Sequence, residues 1–240
     1  MIQAFLFDFG QTLVDSAGGF RAAEADVKAH MLTDIFPGAD CAKRDQFLSA
    51  YRRIRKEHHT TSRFSRPVIW QAVYNHFGKC SDSDKLELWE SRYWQRVKEN
   101  TAPFPEALIV LENLGKRYKL GLITNTQGQK QTDGHRIALF PQIERCFEVT
   151  IVAGEAGIPP KPDPTPFHRC LERLHVDASN AAYVGDDWRI DVCGSRDAGL
   201  QPVWLKHRSV KRNWPDGEAS VPVITSLDEL LDMKLGASTP

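Results

Sequence analysis

Three features of the sequence predict an α/β fold, a doubly wound parallel sheet with an inserted four-helix domain. Short apolar segments alternate with amphipathic helical patterns, several segments are apolar at nearly every position, and one long helical stretch interrupts the alternation. The expected strands are Ile2–Asp8, Lys119–Thr124, Glu148–Ala153, Ala181–Gly185, Gln201–Leu205 and Val221–Ile224. Runs such as AAYVG and GLIT suit strands covered on both faces by helices, because neither side needs polar residues. Between them, Leu108, Leu111 and Leu114 form one helical stripe, and Phe167, Cys170, Leu171 and Leu174 form another. Strands that alternate with helices build right-handed βαβ units.

The interruption runs from about Asp15 to Thr101. Val27, Met31 and Ile35 mark its first helix; Phe47, Tyr51 and Ile54 its second; Ile69, Val73 and Phe77 its third; Leu86, Trp89, Tyr93 and Val97 its fourth. Ser81-Asp82-Ser83-Asp84 has the spacing of a capping box ahead of the fourth. Pro103 and Pro105 punctuate the return to the sheet. The expected division is therefore a sheet domain from residues 1–14 and 102–240, with a helical domain from 15–101.

Composition narrows the function. The chain has 240 residues, with 31 basic and 31 acidic side chains, so no overall field gathers polyanions and nucleic acid is not an expected partner. No apolar stretch approaches the ~20 residues of a membrane span, and the run Ile2–Phe9 lacks the basic flank of a secretory signal. Cys41, Cys80, Cys146, Cys170 and Cys193 form no C-x-x-C pair, which reads as reduced thiols in a cytoplasmic protein.

Ligands of open parallel sheets bind beyond the carboxyl ends of the strands. Asp8-Phe9-Gly10-Gln11-Thr12 follows the first strand and Thr124-Asn125-Thr126 the second. Lys161-Pro162-Asp163-Pro164 lies past the third, and Gly185-Asp186-Asp187 with Asp191 past the fourth. A carboxylate, a hydroxyl, an ammonium and an acidic pair at one edge suit phosphoryl transfer, in which positioning and charge stabilisation dominate. Asp8 and Asp186 can supply oxygens to Mg²⁺. Asp8 can act as nucleophile toward phosphorus. Lys161 and Thr124, with Asn125 beside it, can hold phosphate oxygens, and Asp191 can hold Lys161 or a metal-bound water.

These segments, FLFDFGQTL (5–13), GLITNT (121–126), KPDPTPF (161–167) and VGDDWRIDVCGSRDAGL (184–200), resemble the motifs of the haloacid dehalogenase superfamily of hydrolases. The resemblance implies a Rossmann-like core, a mobile helical cap, Mg²⁺ dependence and, in most members, phosphatase activity on a small phosphorylated metabolite. It implies Asp8 as nucleophile and metal ligand, Thr124 and Lys161 as phosphate binders, Asp186 and Asp191 as metal-site acids, and the Gly10 carbonyl as a further metal ligand. Position 10 departs from the family pattern, which has an aspartate there as general acid and base. A proton shuttle contributes roughly 10²–10⁴-fold, so the expectation includes a substitute such as His58 or His59, a good leaving group, or weak catalysis. Alternatives are dehalogenation, phosphonate hydrolysis using Lys28, Lys43 or Lys56, and a non-catalytic phosphometabolite-binding protein. Arg52, Arg53, Arg55, Lys56, Arg63 and Arg66 are candidates for gripping an anionic substrate. Trp70, Trp89, Tyr93 and Trp94 read as the helical domain's own core. The expected assembly is a monomer or homodimer.

Overall fold

The structure is a computed structural model that describes residues 1–61, 63, 65–126, 135–206 and 220–233. It divides into two compact units. Among the described residues, the first comprises 1–17, 102–126, 135–206 and 220–233, and the second is Gly18–Thr101.

The first unit is a sheet of six strands: β1 (Ala4–Phe7), β4 (Lys119–Asn125), β5 (Val149–Ala153), β6 (Ala181–Gly185), β7 (Gln201–Leu205) and β8 (Val223–Ile224). Their order is β5-β4-β1-β6-β7-β8, and every pairing is parallel. Side-chain alternation sends β1 into two cores. Phe5 and Phe7 join Leu120, Leu122, Ala182 and Val184 on one face, against Ala107, Val110, Leu111 and Leu114 of α5 (Ala107–Leu114). Ala4 and Leu6 join Ile123, Ile151 and Tyr183 on the other, against Phe167, Cys170, Leu171 and Leu174 of α7 (Thr165–Leu174). The α7 stripe is the one the spacing predicts. In α5 the buried set shifts by a residue, with Ala107 and Val110 inside and Leu108 only half-buried.

A small element escapes the sequence pattern: β2 (Val14–Asp15) pairs antiparallel with β3 (Ala102–Pro103). This ribbon ties the chain's departure from the sheet unit to its return, and it places the first unit boundary at Ala17. Two-residue strands carry too little alternation to register as a period.

The second unit contains α1 (Ala17–Ile35, entering from the sheet unit), α2 (Cys41–Thr60), α3 (Arg66–His76) and α4 (Ser83–Glu99). Its core holds Val27, Met31, Phe47, Tyr51, Trp70, Val73, Trp89, Tyr93, Trp94 and Val97, so the tryptophans are structural here. The capping box expected before α4 does not form. Asp82 is the N-cap, and its side chain accepts from the Asp84 amide. Glu24 is buried within this unit, where it accepts from Tyr51 OH at 2.8 Å and pairs with Arg55 at 3.3 Å. Burial opposes its charge, but Arg55 and Arg66 outweigh that and hold the carboxyl below its ordinary range. Arg66 stacks over Tyr93 at 5.2 Å, so this arginine serves the helical unit's interior. No helix among the described residues is long and apolar enough to cross a membrane.

Candidate active site

Strand register assembles the site. Phe7 pairs with Leu122 and with Val184, so the residues that follow on each strand leave the sheet at one edge. There the Asp8 amide donates to Val184 O at 2.9 Å. The side chain of Asp8 is fixed at both oxygens: Oδ1 accepts from Lys161 Nζ at 2.8 Å, and Oδ2 from Thr12 Oγ1 at 3.3 Å.

Lys161 is the hub. It is 1% exposed, and its Nζ lies 2.8 Å from Asp191 Oδ1, 2.9 Å from Ile123 O and 2.7 Å from Tyr183 OH, besides its contact with Asp8. Four protein oxygens use up the three protons of an ammonium. Burial disfavours the charge, yet Asp191 and Asp8 outweigh it and raise the lysine's pKa. The motif suggests a phosphate-binding role for Lys161; in the structure its ammonium bridges Asp8 and Asp191 as their shared counter-ion. Asn125, expected among the substrate contacts, spends its amide on the same lysine's backbone, donating to Lys161 O at 3.0 Å and accepting from Lys161 N at 2.7 Å.

The two adjacent aspartates after β6 take different roles. Asp187 caps the turn Trp188–Cys193, accepting from the amides of Arg189 at 3.0 Å and Ile190 at 2.9 Å. Asp186 instead joins Asp8 and Asp191, each offering one oxygen, all within 4.8 Å of one another. Asp191 Oδ2 accepts from the Asp187 amide at 3.0 Å, which locks it in place. It passes so close to Gly185 that a Cβ there would lie 2.4 Å from Asp191 Cβ. Gly185→Ala is therefore expected to push Asp191 off Lys161, destabilising the fold by about 1–3 kcal/mol as overpacking does. Chemical unfolding beside a Mg²⁺ titration checks this.

Three carboxylates against one ammonium leave a formal charge of −2, a donor set suited to a hard divalent cation. Burial, with help from Asp191 and against Lys161, pushes the Asp8 carboxyl up to about 6. An acid crowded in this way is one that a cation would relieve.

Four contributors were not legible from sequence patterns. Thr12 is described above. Tyr183 occupies an aliphatic strand and donates to Ile123 O at 3.1 Å or Asp191 Oδ1 at 3.3 Å; burial first, then Asp191 and Asp8, raise its pKa and keep the phenol neutral. A tyrosine two residues before Gly185 was the available signal. His135 Nε2 lies 3.4 Å from Thr124 Oγ1, while its Nδ1 accepts from the Ile137 amide at 3.2 Å. Burial and then Arg136 press its pKa down to about 3. The imidazole is thus neutral, with the proton on Nε2, and the Thr124 hydroxyl keeps its own proton to donate. The fourth, Arg136, borders the segment after Asp8, with its guanidinium carbon 5.7 Å from the centre of the Phe9 ring. By contrast His59, offered as a proton shuttle, lies in the helical unit with its Nε2 3.2 Å from Arg66; burial, Arg55 and Arg66 bring it to about 3.

A parallel sheet that gathers a lysine-held carboxylate and two more acids at the carboxyl ends of its strands defines a Rossmann-like protein with a carboxylate-centred site. The chain belongs to the haloacid dehalogenase-like hydrolases, whose family pattern it matches over residues 5–205. It is 27% identical over 216 residues to an N-acylneuraminate-9-phosphatase of Rattus norvegicus, covering 85% of this chain and 82% of that one. A glyceraldehyde 3-phosphate phosphatase of Pyrococcus abyssi is 35% identical over 102 residues, but that match spans only 42% of this chain and 40% of the relative. Among solved structures, a 2-haloacid dehalogenase from Pseudomonas syringae pv. Tomato DC3000 superposes with a TM-score of 0.62 at 26% identity, covering 97% of both chains.

Proposed function

We propose that this hydrolase is a Mg²⁺-supported phosphatase for a small phosphorylated metabolite, carrying the phosphoryl group transiently on Asp8. The observation that carries the reading is the Asp8 carboxylate, held by Lys161 within a cluster completed by Asp186 and Asp191. Those three acids, with the Gly10 carbonyl, would hold the metal. When bound, the metal neutralises phosphate charge and so lets two anions meet. Lys161 and Thr12 orient the nucleophile, and the Thr124 hydroxyl, backed by His135, donates to a phosphate oxygen. The phosphatase relatives support the ester substrate. Dehalogenation is the weaker reading, because the two further carboxylates beside the nucleophile, Asp186 and Asp191, oppose a departing halide and suit a bound cation. The reading takes the protein as a cytoplasmic monomer or homodimer that requires no nucleic acid or membrane.

The test is hydrolysis of p-nitrophenyl phosphate with Mg²⁺, lost on chelation and regained on adding Mg²⁺ back. Because Asp8 carries a raised pKa of about 6, protons compete with the cation for it. Mg²⁺ affinity measured by calorimetry should therefore rise as pH increases through about 6 and level off above it. No metal-dependent turnover of this or any other phosphate ester would sink the reading.

A further inference from the structure

Position 10 lies two residues beyond the Asp8 carboxylate and carries no side chain, and among the described residues outside its own chain neighbours only Arg136 comes within 4 Å of where its Cβ would stand. A Cβ built on Gly10 would sit 3.4 Å from the NH2 nitrogen of Arg136. This arginine is 3% exposed, and its guanidinium carbon stands 5.7 Å from the centre of the Phe9 ring. Its neighbour His135 packs edge-on against the same ring at 5.4 Å and touches the Thr124 hydroxyl. One short segment therefore abuts residues 9 and 10 on one side and the Thr124 hydroxyl on another. Lys161 has its protons engaged by Asp8, Asp191, Tyr183 and Ile123. Arg136 brings a second, permanent cation, a planar guanidinium, to the backbone beside Gly10.

We propose that Arg136 is a catalytic residue whose guanidinium receives the oxygen leaving phosphorus, and that it confines the enzyme to acyl, enol and aryl phosphates, whose leaving oxygen departs as a stable anion. This rests on the phosphatase reading above. An Asp8 oxygen attacks phosphorus, the bond from phosphorus to the leaving oxygen breaks, and its electron pair stays on that oxygen as an anion paired with Arg136. A guanidinium does not give up a proton near neutral pH, and glycine has none to give, so an alkoxide of a simple alcohol leaves without help. In the second step water attacks the phosphoryl group. The bond to Asp8 breaks with its electron pair returning to the carboxylate, and the surplus water proton ends on the phosphate released as H₂PO₄⁻. No co-reactant is needed.

The experiment is a leaving-group series: acetyl phosphate, aryl phosphates of graded phenol acidity, and a primary-alkyl phosphate, with Mg²⁺ throughout. The native enzyme should lose kcat/KM steeply as the leaving group becomes more basic. Removing one donor aimed at developing charge costs roughly 10²–10³-fold, so Arg136→Gln should lose about that much on the more basic phenols and less on acetyl phosphate. Arg136→Lys, which keeps the charge and loses the planar guanidinium, should fall between and decides the matter if the glutamine variant does not fold. Inorganic phosphate is the second probe, since its fourth oxygen occupies the leaving-group position. Its Kd should weaken about tenfold in Arg136→Gln, the scale of one charge-assisted contact. A loss uniform across the series with phosphate affinity unchanged would make Arg136 structural and overturn the proposal. So would primary-alkyl phosphates turned over as fast as acetyl phosphate. Failure of the native enzyme on every member of the series would instead remove the phosphatase reading itself.

Discussion

Asp8→Asn is expected to abolish turnover while leaving the fold intact or more stable. The amide keeps the shape of the carboxylate but neither its charge nor its nucleophilicity. Removing a nucleophile from a set that acts as a unit costs on the order of 10⁶-fold. The stability half of the prediction follows from the sign of the Asp8 shift. Burial raises this carboxyl to about 6, above its value in an unfolded chain. A group raised on folding favours the native state at low pH and loses that contribution as pH rises through the folded value. Metal-free native protein should therefore weaken between about pH 4 and pH 7 in a way that the asparagine variant does not. Chemical unfolding of the two metal-free proteins across that range, beside their activities with Mg²⁺, separates loss of chemistry from loss of structure. An asparagine variant that retains turnover would displace Asp8 as the nucleophile.

The part of the site legible in the sequence is the part that local patterns encode. Asp8, Thr124, Lys161 and Asp186 each lie at the end of, or just past, a recognisable strand or strand-and-turn, and the parallel register carries the strand ends to one edge. What stayed hidden depends on contacts between distant segments. Tyr183 looks like another strand residue until Lys161, brought from 22 positions away, is found on its hydroxyl. His135 and Arg136 open a helical turn of four residues, too short for any period, and their meaning comes only from Thr124, Phe9 and Gly10. Asp186 and Asp187 are indistinguishable as letters; backbone direction after β6 makes one a cluster member and the other a turn cap. The basic run of α2 is similar. Arg53 pairs with Glu57 and Arg55 with Glu24 inside the helical unit, which a charge count along the chain does not reveal.

Lys161→Met should be the most destabilising single change in the sheet unit. Methionine fills much of the same volume, so the effect isolates the charge. The variant leaves Asp8 and Asp191 buried near each other with their shared counter-ion gone, and it removes the donor to Ile123 O. Breaking a buried pair from one side costs about 3–5 kcal/mol, because the remaining charge stays desolvated. For a protein of this size that corresponds to a fall in Tm of roughly 6–20 °C. Two readouts distinguish this cause from ordinary loss of packing. The deficit should shrink as pH falls, since protonation of the abandoned carboxyls removes the repulsion. Mg²⁺ should also raise the Tm of the variant more than that of the native protein, because the cluster has gone from a formal charge of −2 to −3 and gains more from a cation. A deficit indifferent to both pH and Mg²⁺ would mean that Lys161 contributes volume rather than charge, and the electrostatic account of the whole cluster would fail with it.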